Sequence, residues 1–252
     1  MDTTRHAGRI AIVTGAASGI GKATAVRLAA EGAQVFAADI NVDGLAATAS
    51  EITSAGGVCI AVKCDVTQQQ DINALVAQAG SRIDILANVA GIMDHFLPLG
   101  EVDDETWDEV FDVNLKGFMR LTRAVIPVME AAGKGSIVTV VSKAAVGAGA
   151  AGVAYTSSKH AVAGLVKSVA YFYGAKVIRS NGVLPGAVNT NIGATSTPKA
   201  PWAIERAMLS MASMQPPAEP DQIATAISWL ASDEASNVNG SLLLDDNGWA
   251  TA

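Results

Sequence analysis

The feature that most constrains the fold is the regular alternation of short, continuously apolar runs with amphipathic segments of helical length. A strand that is apolar at successive positions is buried on both faces, and strands connected by helices run parallel within one sheet. We therefore predict an α/β fold with a parallel sheet of about seven strands, covered by helices on both faces. The predicted strands are Arg9–Thr14, Gln34–Asp39, Val58–Lys63, Ile83–Asn88, Gly135–Ser142, Val177–Leu184 and Ser241–Leu244.

The segments between these strands carry helical periodicity. A first helix is predicted to end near Gly32, and the others to span Val42–Ala55, Gln68–Ala79, Asp104–Ala132, Gly152–Gly174 and Pro220–Ala231. No Pro/Ser-rich linker divides the chain, so we predict one domain over residues 1–252. The stretch from about 190 to 215 breaks the alternation, and a long connection at a sheet edge is typical of a lid over a binding site. The alternative is a surface helix in which methionine fills space.

Composition limits the possible partners and compartment. The chain has 252 residues and a net charge of −7 with no cluster of Lys or Arg, which argues against a nucleic-acid or acidic-membrane binder. The polar stretch Met1–Gly8 indicates no secretory signal, and no apolar run approaches the ~18 residues of a membrane span. Cys59 and Cys64 should face opposite sides of the sheet, which disfavours a disulfide. We expect a cytoplasmic protein with no metal site.

A glycine-rich turn joins the first strand to the first helix. Gly15, Gly19 and Gly21, with Ser18 and Ile20 between them, allow a tight turn that leads into the N-terminus of a helix. The backbone amides at that N-terminus can approach and bind the pyrophosphate of a dinucleotide. Asp39 then ends the second strand, about 20 residues on, where a carboxylate can bind ribose hydroxyls and repel a 2′-phosphate. We therefore predict NAD rather than NADP; if Asp39 only caps the strand, the choice stays open.

Tyr155 and Lys159 form the most informative pair for chemistry. In a helix that begins near Val153 they lie on one face, and Ser142 stands at the end of an apolar run upstream. A phenol has a reference pKa of ~10, and a nearby cation lowers it by stabilising the phenolate. Proton exchange with an alcohol is then possible near neutral pH. An exposed Tyr–Lys pair on a helix is the alternative interpretation.

The ordered set of motifs resembles the short-chain dehydrogenases/reductases over essentially the whole chain. The matches are the glycine turn, Asp65-Val66, Asn88-Val89-Ala90-Gly91, Asn114, the set Ser142, Tyr155 and Lys159, and Pro185-Gly186-Ala187-Val188-Asn189-Thr190. Val89 stands where the family has a second Asn, and Asp245-Asp246-Asn247-Gly248 replaces the family's Asp-Gly-Gly. The resemblance implies a Rossmann-type, doubly wound sheet and a homotetramer built through the Asp104–Ala132 and Gly152–Gly174 helices and the last strand.

The resemblance also implies roles for individual residues. Tyr155 would be the general acid-base, Lys159 would lower its pKa, Ser142 would hold the substrate oxygen, and Asn114 would anchor a water linking Lys159 to solvent. The nicotinamide dinucleotide would contact a larger set: Gly15, Ser18, Gly19, Ile20, Gly21, Asp39, Ile40, Asp65, Val66, Asn88, Ala90, Gly91, Tyr155, Lys159, Pro185, Gly186, Val188 and Thr190.

The predicted substrate pocket is small or apolar and has no arginine to bind a carboxylate or phosphate. We therefore expect an uncharged, fairly apolar secondary alcohol or ketone. Lys143 should point to solvent, and His95 should be a loop residue beside the substrate. Two alternatives remain: a reductase of 3-oxoacyl thioesters, and a catalytically silent sensor of NAD(H). The residues most expected to line the pocket are His95, Ala144, Val153, Ala187 and Trp202.

Overall fold

All seven strands lie in one parallel sheet, in the order β3-β2-β1-β4-β5-β6-β7, in a computed structural model that describes residues 4–193 and 197–251. The predicted α/β class and strand number are therefore confirmed. The strands are β1 (Ile10–Thr14), β2 (Gln34–Asp39), β3 (Val58–Lys63), β4 (Ile85–Asn88), β5 (Gly135–Val140), β6 (Ile178–Pro185) and β7 (Leu242–Asp245).

Helices cover both faces of the sheet, in two groups. One apolar cluster packs α1, α2 and α8 on one face, and a second packs α3, α5 and α6 on the other. Cys59 belongs to the first cluster and Cys64 to the second, as their spacing predicts. The helices are α1 (Gly19–Ala30), α2 (Val42–Ser54), α3 (Gln69–Ala79), α4 (Asp104–Phe111), α5 (Phe118–Ala132), α6 (Val153–Tyr173), α7 (Pro201–Met211) and α8 (Pro220–Ala231).

The predicted helix Asp104–Ala132 is helical along its whole length but not α-helical throughout. A π-helical turn, Asp112–Gly117, separates α4 from α5. Such turns insert one extra residue into the helix and are frequent at functional sites. Here the turn coincides with Asn114, whose buried amide pairs with the backbone of Ile92: Oδ1 accepts from the Ile92 N–H at 2.9 Å and Nδ2 donates to its carbonyl at 3.0 Å.

The strand order places a candidate ligand-binding crevice between β1 and β4. β1 is flanked by β2 on one side and β4 on the other, so the connections from β1 and β4 leave in opposite directions. Ligands of open parallel sheets bind in the crevice outside the strand ends at such a switch point. In the described part of the chain, no helix is long and apolar enough to cross a membrane.

Candidate active site

A cleft of about 750 Å³ opens at the carboxyl ends of the strands, over the switch point. It is lined by 17 of the 18 residues predicted to contact a dinucleotide, from the glycine turn to Thr190. The exception is Asn88, which is fully buried below the cleft and donates to Thr122 Oγ1 at 3.1 Å. Asn88 therefore supports the strand end from inside the core.

The glycine turn has the geometry that its sequence predicts. Gly15 and Gly19 have positive φ values of +68° and +51°. A Cβ on Gly21 would lie 2.0 Å from the Gly15 carbonyl oxygen, so the first turn of α1 can pack against the loop only without a side chain there. Main-chain amides thus approach the cleft at a helix N-terminus, an arrangement that suits a pyrophosphate.

Asp39 connects the glycine turn to the end of β2. Its Oδ2 accepts from the Ala17 N–H at 3.0 Å, and its Oδ1 accepts from the Asn41 N–H at 3.0 Å. The carboxylate thus has the structural role that we considered as the alternative, and it also lines the cleft. A carboxylate has about four lone-pair positions, so two backbone bonds leave capacity for ribose hydroxyls.

One cation beside Asp39 is not evident from its sequence neighbours. Lys63 pairs with Asp39 in the β2–β3 register, and both residues end their strands. Paired residues on neighbouring strands project to the same face of a sheet. A sheet register is needed to see this proximity, because 24 positions separate the two residues in the sequence.

Tyr155 and Lys159 line the cleft together. Both are buried on one face of α6, with the Lys159 Nζ 5.4 Å from the centroid of the Tyr155 ring. The Lys159 ammonium donates to the Val140 carbonyl at 3.1 Å, which directs it under the end of β5. Ser142, two residues further, has extended backbone and lines the same cleft. Ser142, which follows β5, is thus brought to the same cleft as the Tyr155–Lys159 pair of α6.

Burial dominates the ionisation of this pair. Burial raises the pKa of the Tyr155 phenol to about 12, with a hydrogen bond from Ser142 opposing the shift and the charge of Asp94 adding to it. Burial also lowers the pKa of the Lys159 ammonium to about 7. Desolvation of the phenolate thus exceeds the favourable interactions in the chain alone, and the lowering of the Tyr155 pKa by Lys159 together with a positively charged cofactor ring stays a prediction.

The five predicted pocket residues do not line this cleft. Trp202 is 58 % exposed on α7 and its Nε1 donates to Glu101 Oε1 at 2.6 Å, so its side chain lies on the protein surface. Ala144 is fully buried against Tyr155 in a small apolar cluster. His95, Val153 and Ala187 are partly exposed near the cleft.

Lys143 does not point to solvent. Its side chain is buried, its Nζ lies 4.5 Å from the centroid of the Trp249 ring, and the ammonium donates to Ser210 Oγ at 3.4 Å. Trp249 Nε1 also donates to the Ser210 carbonyl, at 2.7 Å. The expectation failed because these three residues lie far apart in the sequence and only the fold assembles them. We call Lys143, Ser210 and Trp249 the α7 contact.

Several cleft residues were not predicted. Asn41 and Thr67 each follow a strand-end aspartate by two positions, a signal that the strand pattern offers, whereas Glu109 and Asp112 come from the helix that we expected to be continuous. In the described part of the chain, no group of three His, Cys, Asp or Glu could hold a metal ion.

Comparisons with known proteins agree with this geometry. The family model described as enoyl-(acyl carrier protein) reductase matches residues 15–250. The chain is 39% identical over 258 residues to 3beta-hydroxysteroid dehydrogenase 2 of Eggerthella lenta, covering 99% of both chains. It superimposes on the crystal structure of levodione reductase with a TM-score of 0.90 at 30% identity, covering 98% of this chain and 100% of that one.

A further solved structure bears on the cofactor. It is a candidate NAD(P)-dependent gluconate 5-dehydrogenase from Beutenbergia cavernae with NADP bound at low occupancy. The TM-score is 0.88 at 34% identity, and 100% of both chains is covered.

Proposed function

The chain belongs to the short-chain dehydrogenases/reductases and is an oxidoreductase of secondary alcohols and ketones; from this premise we propose that it uses NAD(H) and acts on an uncharged, largely apolar substrate. The observation that carries the proposal is the group formed by the buried Tyr155 and Lys159 and the half-buried Ser142, at the end of a dinucleotide-sized cleft that Asp39 also lines.

The proposed reaction assigns each residue one task. Tyr155 accepts the hydroxyl proton during oxidation and returns it to the carbonyl oxygen during reduction. Ser142 donates a hydrogen bond to the substrate oxygen and stabilises the charge that develops there. The residues that line the cleft from the glycine turn to Thr190 would hold NAD⁺, which would supply the hydride acceptor and a positive charge beside the phenol.

Proton release needs a route out of the buried site. Lys159 lies between Tyr155 and the Val140 carbonyl, and Asn114 lies close behind it: a Cβ on Gly91 would be 3.2 Å from Asn114 Oδ1 and 3.7 Å from Lys159 Nζ. We propose that Lys159 passes the proton onward and that Asn114 holds the water beyond it. The low pKa of Lys159, about 7, suits a group that must gain and lose a proton near neutral pH.

NAD is proposed over NADP because Asp39 projects a carboxylate into the cleft where a 2′-phosphate would lie. An uncharged substrate is proposed because Tyr155 lies in an apolar cluster that includes Ala144 and Ala154, and because the nearby Lys143 is already engaged by Trp249 and Ser210. The relative that acts on hydroxysteroids supports this choice. The segment from about 190 to 215, which includes α7, is proposed as the substrate lid; residues 194–196 lie outside the described part.

The decisive experiment measures initial rates with NAD⁺ and NADP⁺ against secondary alcohols ranging from aliphatic and cyclic compounds to hydroxysteroids, polyols, gluconate and 3-hydroxyacyl thioesters. We expect turnover with NAD⁺ on the apolar ring alcohols. Preference for NADP⁺ with the thioester would establish the acyl-thioester reductase instead. Binding of NADH without turnover, unchanged in Tyr155→Phe, would establish a silent sensor.

A homotetramer in the cytoplasm completes the proposal. Tyr171 and Phe172, near the end of α6, are 81 % and 68 % exposed, and large apolar side chains at such exposure favour burial between subunits. Light scattering at micromolar concentration tests the assembly, and a monomer would contradict it.

A further inference from the structure

The catalytic helix α6 begins without a side-chain cap of its own. Its N-cap residue is Gly152, and the first amides of a helix have no partner within the helix. The missing acceptor comes from Asp94, 58 positions earlier. Asp94 Oδ1 accepts from the Gly152 N–H at 2.9 Å, and Oδ2 accepts from the Tyr155 N–H at 2.9 Å. One carboxylate therefore binds the N-cap amide and the amide of the catalytic tyrosine.

The loop that carries Asp94 packs directly on the helix end. Asp94 is fully buried, and the Val153 N–H donates to the Leu97 carbonyl at 2.9 Å. A Cβ on Gly152 would lie 2.5 Å from the Leu97 nitrogen and 2.6 Å from Asp94 Oδ2. A capping Ser or Asp at position 152 would therefore collide with the loop, which explains why the acceptor is supplied from outside the helix.

The same loop also contacts the segment before α7. His95 Nδ1 lies 3.1 Å from the Thr197 carbonyl oxygen, and the Lys199 N–H donates to the His95 carbonyl at 3.2 Å. His95 and Phe96 both have positive φ, +57° and +56°. Consecutive non-glycine residues in this region are strained and persist only where surrounding contacts fix them. Asp94 contributes such a contact, because its Oδ1 also accepts from the Phe96 N–H at 3.3 Å.

We propose that Asp94 is a positioning residue for the acid-base step: its carboxylate fixes the first turn of α6, and with it the Tyr155 phenol, against Ser142 and the substrate oxygen. The inference rests on the proposed function, since it assumes that Tyr155 exchanges the proton. Asp94 itself touches neither substrate nor cofactor, as it is buried behind the helix end. Its two oxygens act on the backbone, where a shift of the helix end changes the distance from the phenol to the reacting atom.

The negative charge of Asp94 should affect the pH dependence of alcohol oxidation, which provides a measurable test of its positioning role. The ionisable groups facing Tyr155 are Lys159 on its own helix and Asp94 on the loop, while Glu109 and Asp112 line the cleft from α4 and the π-helical turn. The negative charge of Asp94 adds to the raised pKa of Tyr155. Removing that charge favours the phenolate, so the pH at which oxidation becomes fast should fall.

The test compares Asp94→Asn with the matched variant Asp84→Asn in the full-length protein. Asp84 is also buried and accepts from a backbone amide, that of Ile10 at 2.9 Å, but lies at the opposite end of the sheet. For Asp94→Asn we expect kcat to fall on the order of a hundredfold, as for a small misplacement of a reacting group. KM for NAD⁺ should stay unchanged, and the rise of kcat with pH should move to lower pH. Asp84→Asn should leave kcat, KM for NAD⁺ and the pH dependence of kcat as in the wild type.

A second measurement on the wild-type protein does not depend on a variant that folds. The amides of Gly152 and Tyr155 should exchange slowly with deuterium, because Asp94 is their acceptor, whereas uncapped first-turn amides exchange fast. Fast exchange at both amides would overturn the inference, as would an Asp94→Asn enzyme with wild-type kcat and pH profile. A wild-type protein with slow exchange but no alcohol turnover would instead contradict the proposed function.

Discussion

The parts of the site that we propose bind the cofactor and the substrate, called here the cofactor half and the substrate half, are assembled in different ways. The cofactor half consists of strand ends and the turns directly after them, such as Gly15 after β1, Asp39 in β2 and Asp65 after β3. The substrate half depends on contacts between distant segments. Asp94 binds the amide of Tyr155, His95 contacts Thr197, and Lys143 contacts Ser210, across 61, 102 and 67 positions respectively.

The positions of residues in the cofactor half can be encoded by a local sequence motif, whereas those in the substrate half are determined by tertiary packing. A strand end is defined by local sequence, and parallel strands bring all their carboxyl ends to one edge of the sheet. A contact across 60 or more positions needs the completed fold. The substrate half can therefore change by single substitutions at either partner, while the cofactor half keeps its geometry.

Tyr155→Phe should give the largest effect on kcat and tests whether catalysis can be lost without loss of cofactor binding. Phenylalanine keeps the ring packing but removes the exchangeable proton, so kcat should fall roughly a thousandfold, as for loss of a general acid-base group. The affinity for NADH, measured by fluorescence titration, should change less than threefold because the rest of the cleft is intact. A large loss of NADH affinity would show that the two halves are coupled through this residue.

Lys159 lies where the cofactor half meets the substrate half, and Lys159→Met tests how much its buried ammonium costs in free energy of unfolding. The pKa of Lys159 falls from 10.5 to about 7 on burial. The unfolded chain then binds more protons between those values, so wild-type stability rises with pH across that window. A shift of this size corresponds to roughly 5 kcal/mol. After the loss of the bond to the Val140 carbonyl, we expect a net stabilisation of about 3 kcal/mol at pH 7.

The pH dependence of that stabilisation is its control. The gain from Lys159→Met should be constant below pH 7 and disappear above the unfolded pKa of 10.5, when measured by urea unfolding. The variant should be inactive. A variant that is less stable than the wild type at pH 7 would show that the ammonium is well solvated or paired in the native state.

Much of the fold was predictable from local sequence, and little of the packing around the substrate half was. All seven strands follow from the pattern of apolar runs, and 17 of the 18 residues expected to contact a dinucleotide line the cleft, while the contacts themselves stay a prediction. The π-helical turn at Asn114 was missed because helical periodicity does not register one inserted residue. Lys143 was assigned wrongly to the solvent, since a lysine usually indicates exposure, whereas the role of the exposed Trp202 in the substrate pocket stays a prediction.

Asp39→Ala tests specificity within the cofactor half. Removing the carboxylate should reduce the preference for NAD⁺ over NADP⁺, expressed as a ratio of kcat/KM values, by roughly tenfold to a hundredfold. Lys63, opposite Asp39 in the sheet, should then attract the 2′-phosphate. The double variant Asp39→Ala/Lys63→Met should therefore accept NADP⁺ less well than Asp39→Ala. An unchanged ratio in Asp39→Ala would mean that Asp39 only holds the glycine turn.

Lys143→Met should give the smallest effect and tests the α7 contact in the substrate half. Methionine keeps much of the side-chain volume but loses the cation–π interaction with Trp249 and the bond to Ser210, together worth about 1 kcal/mol. α7 should then be held less firmly, so KM for the alcohol should rise by roughly threefold to tenfold, while KM for NAD⁺ stays constant. The exposed Lys134 at the opposite end of the sheet provides the control variant Lys134→Met. Equal KM values in both variants would show that the α7 contact does not govern substrate binding.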